Sequence, residues 1–195
     1  MTPEIRAFEY ALGLFAVLIG LAIADIAMSF HRLVRQGSKV KWDPLTLLAA
    51  AYALCLAVCM WFDLWGVRNF ATTRHFLFYL SLVGEFFVLY LIAASSLPDH
   101  FAGSSDLREY YAATRRYFWR LVALFQLIYV AQGLYFMGGE PLSPTWITVL
   151  ELCVMIAPLA VALTLAAAKS RILHYVGLGL LFAVMLLHYG AGSIN

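Results

Sequence analysis

A chain of 195 residues that is 64% hydrophobic and only 12% charged departs from soluble proteins, in which about a quarter of residues carry charge. No soluble fold of this size hides that much apolar surface, and the apolar residues fall into runs of about 20, the length that crosses a hydrocarbon core about 30 Å thick. The net charge of +2 comes from basic loops, with no arginine-rich stripe and no nucleic-acid module, so nucleic-acid binding is not expected.

Thr2, Pro3 and Glu4 form a cap with proline at the first helical position, and helix 1 is expected over residues 8–30. Glu4 and Glu9 flank the single Arg6, the reverse of the basic start of a secretory leader, so helix 1 is expected to be retained. It ends in a basic segment of His31, Arg32, Arg35, Lys39 and Lys41, with Gly37 supplying the break, and helix 2 follows over 44–67. Helix 3 covers 76–97 and stops at Pro98. Asp106 with Glu109 reads as a capping box that opens helix 4 ahead of its membrane part at 117–137. Helix 5 covers 145–168 with Pro158 inside, a position that removes one backbone hydrogen bond and predicts a kink. Helix 6, over 175–189, is short for a span and must stand upright, extend past Gly190 or cross in part. The expected fold is a single all-α domain over residues 1–195, a polytopic bundle of about six transmembrane helices.

Cytoplasmic loops carry the excess of Lys and Arg. Ten of the 13 such residues fall after helices 1, 3 and 5, which places those loops in the cytoplasm and both termini outside. Trp42 and Trp119 then fall at the inner boundary and Trp61, Trp65 and Trp146 near the outer one, where amphipathic rings favour the head-group layer. Cys55, Cys59 and Cys153 lie inside apolar runs and read as packing residues, without disulfide or zinc spacing. Ala16, Gly20 and Ala24 make a small-residue seam suited to close helix approach. A 3+3 inverted arrangement is topologically open, but the halves share no residue-level similarity.

The stretch from Tyr90 to Arg120, YLIAASSLPDHFAGSSDLREYYAATRRYFWR, and the segment from Trp61 to Arg68, WFDLWGVR, resemble a family of uncharacterised bacterial multi-pass membrane proteins. In that pattern a helix ends in Leu-Pro-Asp, here Leu97, Pro98 and Asp99. Asp-Leu-Arg-x-Tyr-Tyr follows, here Asp106, Leu107, Arg108, Tyr110 and Tyr111, and then Arg115, Arg116, Tyr117 and Phe118. The resemblance implies a six-helix layout in the bacterial inner membrane and implies no activity.

Four acids lie within apolar runs: Asp25, Asp63, Glu85 and Glu151. An ionised acid at the bilayer centre costs about 2.5–3.5 kcal/mol on insertion scales. Protonating a glutamate at neutral pH costs roughly 3.7 kcal/mol, at about 1.36 kcal/mol per pH unit. The two costs are comparable, so local hydration or a bound cation can decide the protonation state. Glu85 is the deepest, about 15 Å along the helix from His75, and Ser81 and Ser96 share its face. These four are the candidate ion or proton sites, with hydrogen-bonded packing as the alternative role. Asp63, between Trp61 and Trp65, faces the bundle if the two rings meet lipid. Gln126, Tyr129 and Gln132 lend helix 4 polar character consistent with packing.

His31 and His174 fall at the inner boundary and His75 and His188 at the outer one, a layout that two bis-histidine haems would require. Histidines at helix ends more often serve as loop residues or terminal charge partners, so no cofactor is expected. Arg32, Arg35, Arg115 and Arg116 are candidates for contact with anionic lipid or a partner. There is no phosphate loop, nucleophile elbow or zincin motif, and no enzymatic activity is expected. The leading reading is a small proton- or cation-linked transporter or channel, oligomeric in the bilayer, using Glu85, Asp63 and Glu151. The second is a sensor or assembly subunit presenting the loop from His100 to Arg116, and the third is a haem electron carrier.

Overall fold

The computed structural model describes residues 3–67, 76–99, 105–137 and 146–190. Six α-helices carry these residues: α1 (Pro3–Gln36), α2 (Pro44–Val67), α3 (Phe76–Ser96), α4 (Leu107–Met137), α5 (Trp146–Ala167) and α6 (Arg171–Gly190). Two short strands, β1 (Val40–Lys41) and β2 (Ser105–Asp106), pair in parallel, with Val40 opposite Ser105 and Lys41 opposite Asp106. Five of the helices, α1, α2, α3, α4 and α6, are long and apolar enough to cross a membrane, and α5 contributes the apolar stretch Leu152–Ala167. The chain is an all-α integral membrane protein built as a transmembrane helix bundle.

Local chemistry sets the helix ends. α1 runs on through Arg32 and Arg35 and stops at Gly37, whose φ of 56° is the left-handed conformation that ends helices and that other residues rarely adopt. α2 opens with Asp43 as its cap and Pro44 at the first helical position. Asp106 caps α4 as expected, its Oδ1 accepting the Arg108 and Glu109 N–H groups at 3.0 and 3.3 Å. α6 is longer than its apolar core suggested. It begins at Arg171 and has 20 residues, about 30 Å at 1.5 Å per residue, enough to cross. α5 stays helical across Pro158.

The chain divides into two compact units, Met1–Ala113 and Thr114–Asn195, with the boundary inside α4. In the first, α1 packs chiefly on α3, and α2 packs on both. The packed face of α1 is Phe15, Ile19, Ala22, Ile26, Ser29 and Leu33, a repeat of alternating three and four residues that keeps one seam turned to the neighbouring helices. The small-residue seam lies elsewhere: Gly20 and Ala24 are exposed, and a Cβ on Gly20 would meet nothing. Cys55 and Cys153 are likewise exposed and Cys59 half-buried, so the first two do not serve as packing residues. Exposed Val17, Leu21, Phe62 and Leu80 are ordinary for a protein whose solvent is lipid.

In the second unit the buried face of α4 includes Phe118, Trp119, Val122 and Phe125, and that of α6 includes His174, Gly177, Leu178 and Leu181. α5 packs on α6, where a Cβ on Gly177 would fall 2.7 Å from Leu165 Cδ1.

Candidate functional site

α3 presents Phe78, Leu82, Glu85, Phe86, Leu89 and Ile92 to the interior of the first unit, a helical stripe in which one position carries a carboxyl. Glu85 is 0% exposed. Beside it Phe15 of α1 stacks on Phe86 at 4.8 Å and tilts against Tyr79 at 5.6 Å, so aromatic packing closes the α1–α3 interface at this depth. The Ser81 and Ser96 hydroxyls donate to the carbonyls of Phe78 and Ala93, both at 2.7 Å, which turns these two hydrogens back onto the helix of Glu85.

Farther along the same interface lies a polar group that sequence reading did not assemble. Asp25, Ser29 and Arg32 recur at intervals of four and three on α1, one helical face, and meet Asp99 just beyond α3. Ser29 Oγ donates to Asp99 Oδ1 at 2.9 Å, and Arg32 Nη1 donates to the Asp99 carbonyl at 3.3 Å. Asp25 lies within electrostatic reach of both Asp99 and Arg32. Its Oδ2 is buried and has no hydrogen-bond partner among the described residues. The arrangement is two carboxyls, one occupied by a serine hydroxyl and the other holding an open oxygen, with a guanidinium alongside.

At this end of the first unit, further polar ties fix the chain. Asp43 Oδ2 accepts the Thr46 N–H at 3.2 Å. The Thr46 hydroxyl lies 2.8 Å from the Leu107 carbonyl and 3.0 Å from Asp43 Oδ2, so its single hydrogen serves the start of α4 or the cap of α2. Tyr110 Oη lies 3.1 Å from the carbonyls of both Ser95 and Leu97. Lys41 Nζ sits 3.4 Å from Asp106 Oδ2 across the two-strand pair. The Glu109 N–H holds the Asp106 carboxyl below the ordinary carboxylate value, opposed by desolvation and helped by the Arg108 N–H and by Lys41.

No family model, no characterised protein and no solved structure matches this chain. The chemistry of the site therefore rests on its own residues.

Asp63 is half-buried on α2, within electrostatic reach of Cys59, and Trp61 is half-buried as well. The split between a lipid-facing tryptophan and an inward acid is thus not sharp. The side chains of Glu151, Trp65 and Trp146, and His75 entirely, lie outside the described residues. Arg35 and Arg116 are exposed and Arg115 is half-buried.

Trp42 is exposed and tilts against Phe30, as expected of a boundary ring. Trp119 is 0% exposed, which corrects its assignment to a boundary belt: it packs edge-on to Phe118 and lies 6.1 Å from the His174 ring. His174 is itself buried, with Nε2 3.3 Å from the Ala168 carbonyl. A carbonyl only accepts, so Nε2 carries the hydrogen. His31 and His188 are exposed, the latter edge-on to Tyr189. Among the described residues no three His, Cys, Asp or Glu side chains gather in a way that could hold a metal ion.

Signals for some of this were present. Asp43 followed by Pro44 is a cap signature, and Thr46 stands where such a cap expects its partner. For Ser29 and Asp99, 70 residues apart, no local signal exists.

Proposed function

We propose that the chain is a small proton- or cation-linked transporter or channel, a homo-oligomer of the bacterial inner membrane with both termini outside, in which Glu85 is the exchanging group. The observation that carries this reading is the complete burial of a carboxyl in the middle of a membrane-spanning helix. An ionised carboxyl there is costly, whereas a protonated carboxyl and a carboxylate holding a monovalent cation are both neutral. Exchange of a proton for a cation keeps the site neutral at each step, which is what a low-dielectric interior demands. Asp25 and Asp99 form the inner mouth of the α1–α3 pathway, and Asp63 serves its outer side.

A sensor or assembly subunit is the second reading. It draws on the ties that hold Lys41, Thr46, Asp106 and Tyr110, which fix the start of α4, and a surface fixed before binding costs less to order against a partner.

Glu85→Gln separates the roles. The amide keeps shape and hydrogen bonding but cannot titrate, so the variant should fold like wild type and lose flux in liposomes loaded with a pH-sensitive dye and a range of cations. A structural Glu85 would leave Gln near neutral in both respects, while Glu85→Leu would destabilise by about 0.6–2 kcal/mol. Equal flux from wild type, Glu85→Gln and empty liposomes under every gradient overturns the transport reading.

A further inference from the structure

Between α1 and α2 the chain folds back on itself. Gly37, at φ 56°, ends α1, the strand Val40–Lys41 is held by its pairing with Ser105–Asp106, and Asp43 then caps α2. Trp42 is the single residue between the strand and the cap, so both fix its place. Its ring tilts against Phe30 with 6.2 Å between centroids, and both rings are exposed. Phe30 and Trp42 thus form a clasp of two rings on the surface of the first unit.

Two open cations stand between those rings in the sequence. Arg35 lies five residues beyond Phe30 on α1, about 7.5 Å along the helix, and Lys39 lies three residues before Trp42, within about 11 Å of extended chain. Arg32 and Lys41, in the same segment, are engaged with Asp99 and Asp106. Arg35 and Lys39 are exposed, and neither has a hydrogen-bond or ion-pair partner among the described residues. The Trp42 indole N–H, which can only donate, has no partner there either. A boundary tryptophan sets its ring in the head-group layer, the depth of a lipid phosphate, and a planar guanidinium suits phosphate oxygens. On the hydrocarbon side of Phe30, Ala24, Ala27 and Met28 are exposed along α1, a surface that acyl chains cover and that a free anion would not use.

We propose that the Phe30–Trp42 clasp, with Arg35 and Lys39 above it, binds one anionic phospholipid from the leaflet at this end of α1. Arg35, Lys39 and the indole N–H meet the phosphate, and the acyl chains lie along α1 below Phe30. The inference does not depend on the transport reading. Each cation near the membrane surface contributes roughly a fivefold gain in affinity for an anionic lipid, and a ring already held in place costs little to order on binding.

The test uses the full chain in detergent, titrated with phosphatidylglycerol and with phosphatidylcholine of the same acyl chains and followed by native mass spectrometry. The first phosphatidylglycerol should bind roughly tenfold or more tightly than phosphatidylcholine, and Arg35→Gln and Lys39→Gln should each cut that preference roughly fivefold. Trp42→Ala should weaken both lipids, because the ring and its N–H serve any phosphodiester. Arg120→Gln removes the same charge at an exposed position of the second unit and should leave the preference unchanged. Equal binding of the two lipids by wild type overturns the proposal, as does unchanged binding of both by Trp42→Ala. A loss with Arg120→Gln as large as that with Arg35→Gln marks diffuse surface charge and overturns it as well. Displacement of phosphatidylglycerol by millimolar inorganic phosphate overturns it too, because the ligand is then a free anion.

Discussion

The two units of this chain meet the same solvent with different joints. In the first, polar side chains cross between elements: Ser29 and Arg32 to Asp99, Thr46 to Leu107, Tyr110 to Ser95 and Leu97, and Lys41 to Asp106. In the second, Trp119 lies beside His174, whose Nε2 meets the Ala168 carbonyl, and Gly177 lies against Leu165. Lipid tails are as apolar as leucine, so hydrophobicity does not hold helices together in a bilayer, and association falls to close packing and to hydrogen bonds. Polar crossings fix register because each has a single partner at a single distance. Aliphatic contacts tolerate small slides. The polar crossings of the first unit fit it to hold a carboxyl such as Glu85 at a set depth.

Thr46→Val should bring out this difference most strongly. Valine keeps the shape of the side chain but leaves the buried Leu107 carbonyl without the hydroxyl that lies 2.8 Å away. Stranding one buried acceptor costs about 1–3 kcal/mol. Reversible unfolding in mixed micelles should show that loss, and Thr46→Ser, which restores the hydroxyl, should recover most of it. A change within about 0.5 kcal/mol, the range of ordinary surface substitutions, would mean that the polar crossing does not hold the unit together.

Gly177→Ala probes the aliphatic joint in the second unit. The added methyl would lie 2.7 and 2.8 Å from the two Leu165 methyl carbons, and Leu165 is itself 1% exposed and has little room to retreat. Overpacking costs about 1–3 kcal/mol, and the better helix propensity of alanine returns about 1 kcal/mol. The net loss should be about 0–2 kcal/mol. Gly179→Ala, where a Cβ meets nothing, should be neutral or stabilising in the same assay. Equal effects at Gly177 and Gly179 would show that the α5–α6 contact is slack enough to absorb a methyl group.

Helices were legible wherever a long apolar run met a strong terminator. Pro44 and Pro98 fix α2 and α3 closely. α1 and α6 extend beyond their apolar runs because a charged residue does not end a helix. The conformation of Gly37 does so for α1, and α6 starts early enough to bury His174. Which way a side chain faces was harder to read than where a helix runs. Trp119, expected at the level of a boundary ring, turns its face inward, and Ala16, Gly20 and Ala24 form a seam by residue type while larger side chains make the packed face. Glu85, expected deep along α3, is fully buried within the first unit, a matter of facing that position along the helix alone does not decide. The Asp25–Ser29–Asp99 group had no counterpart in the pattern, because a pairing across 70 residues is set by how α1 and α3 align and by nothing within either helix.

The smallest expected effect is at Asp106, where cap and ion pair can be told apart. Its carboxyl titrates below the ordinary value of 3.8, chiefly because the Glu109 N–H favours the charged form. A lowered folded-state pKa contributes stability that is present in full above 3.8 and is lost as pH falls through the folded value. Asp106→Asn keeps an acceptor for the α4 amides and loses the charge, so wild type should be slightly the more stable at neutral pH. The difference should close as the carboxyl protonates. Lys41→Gln removes only the ion pair, whose side chains are 77% and 33% exposed, so its effect should be smaller still and should vanish at high salt. Hydrogen exchange at the Arg108 and Glu109 amides, measured from neutral pH down through the carboxylate range, reads both variants locally. Protection in wild type should fall with acid while protection in Asp106→Asn stays flat. Parallel pH profiles in the two proteins would show that the Asp106 charge has no part in holding the start of α4.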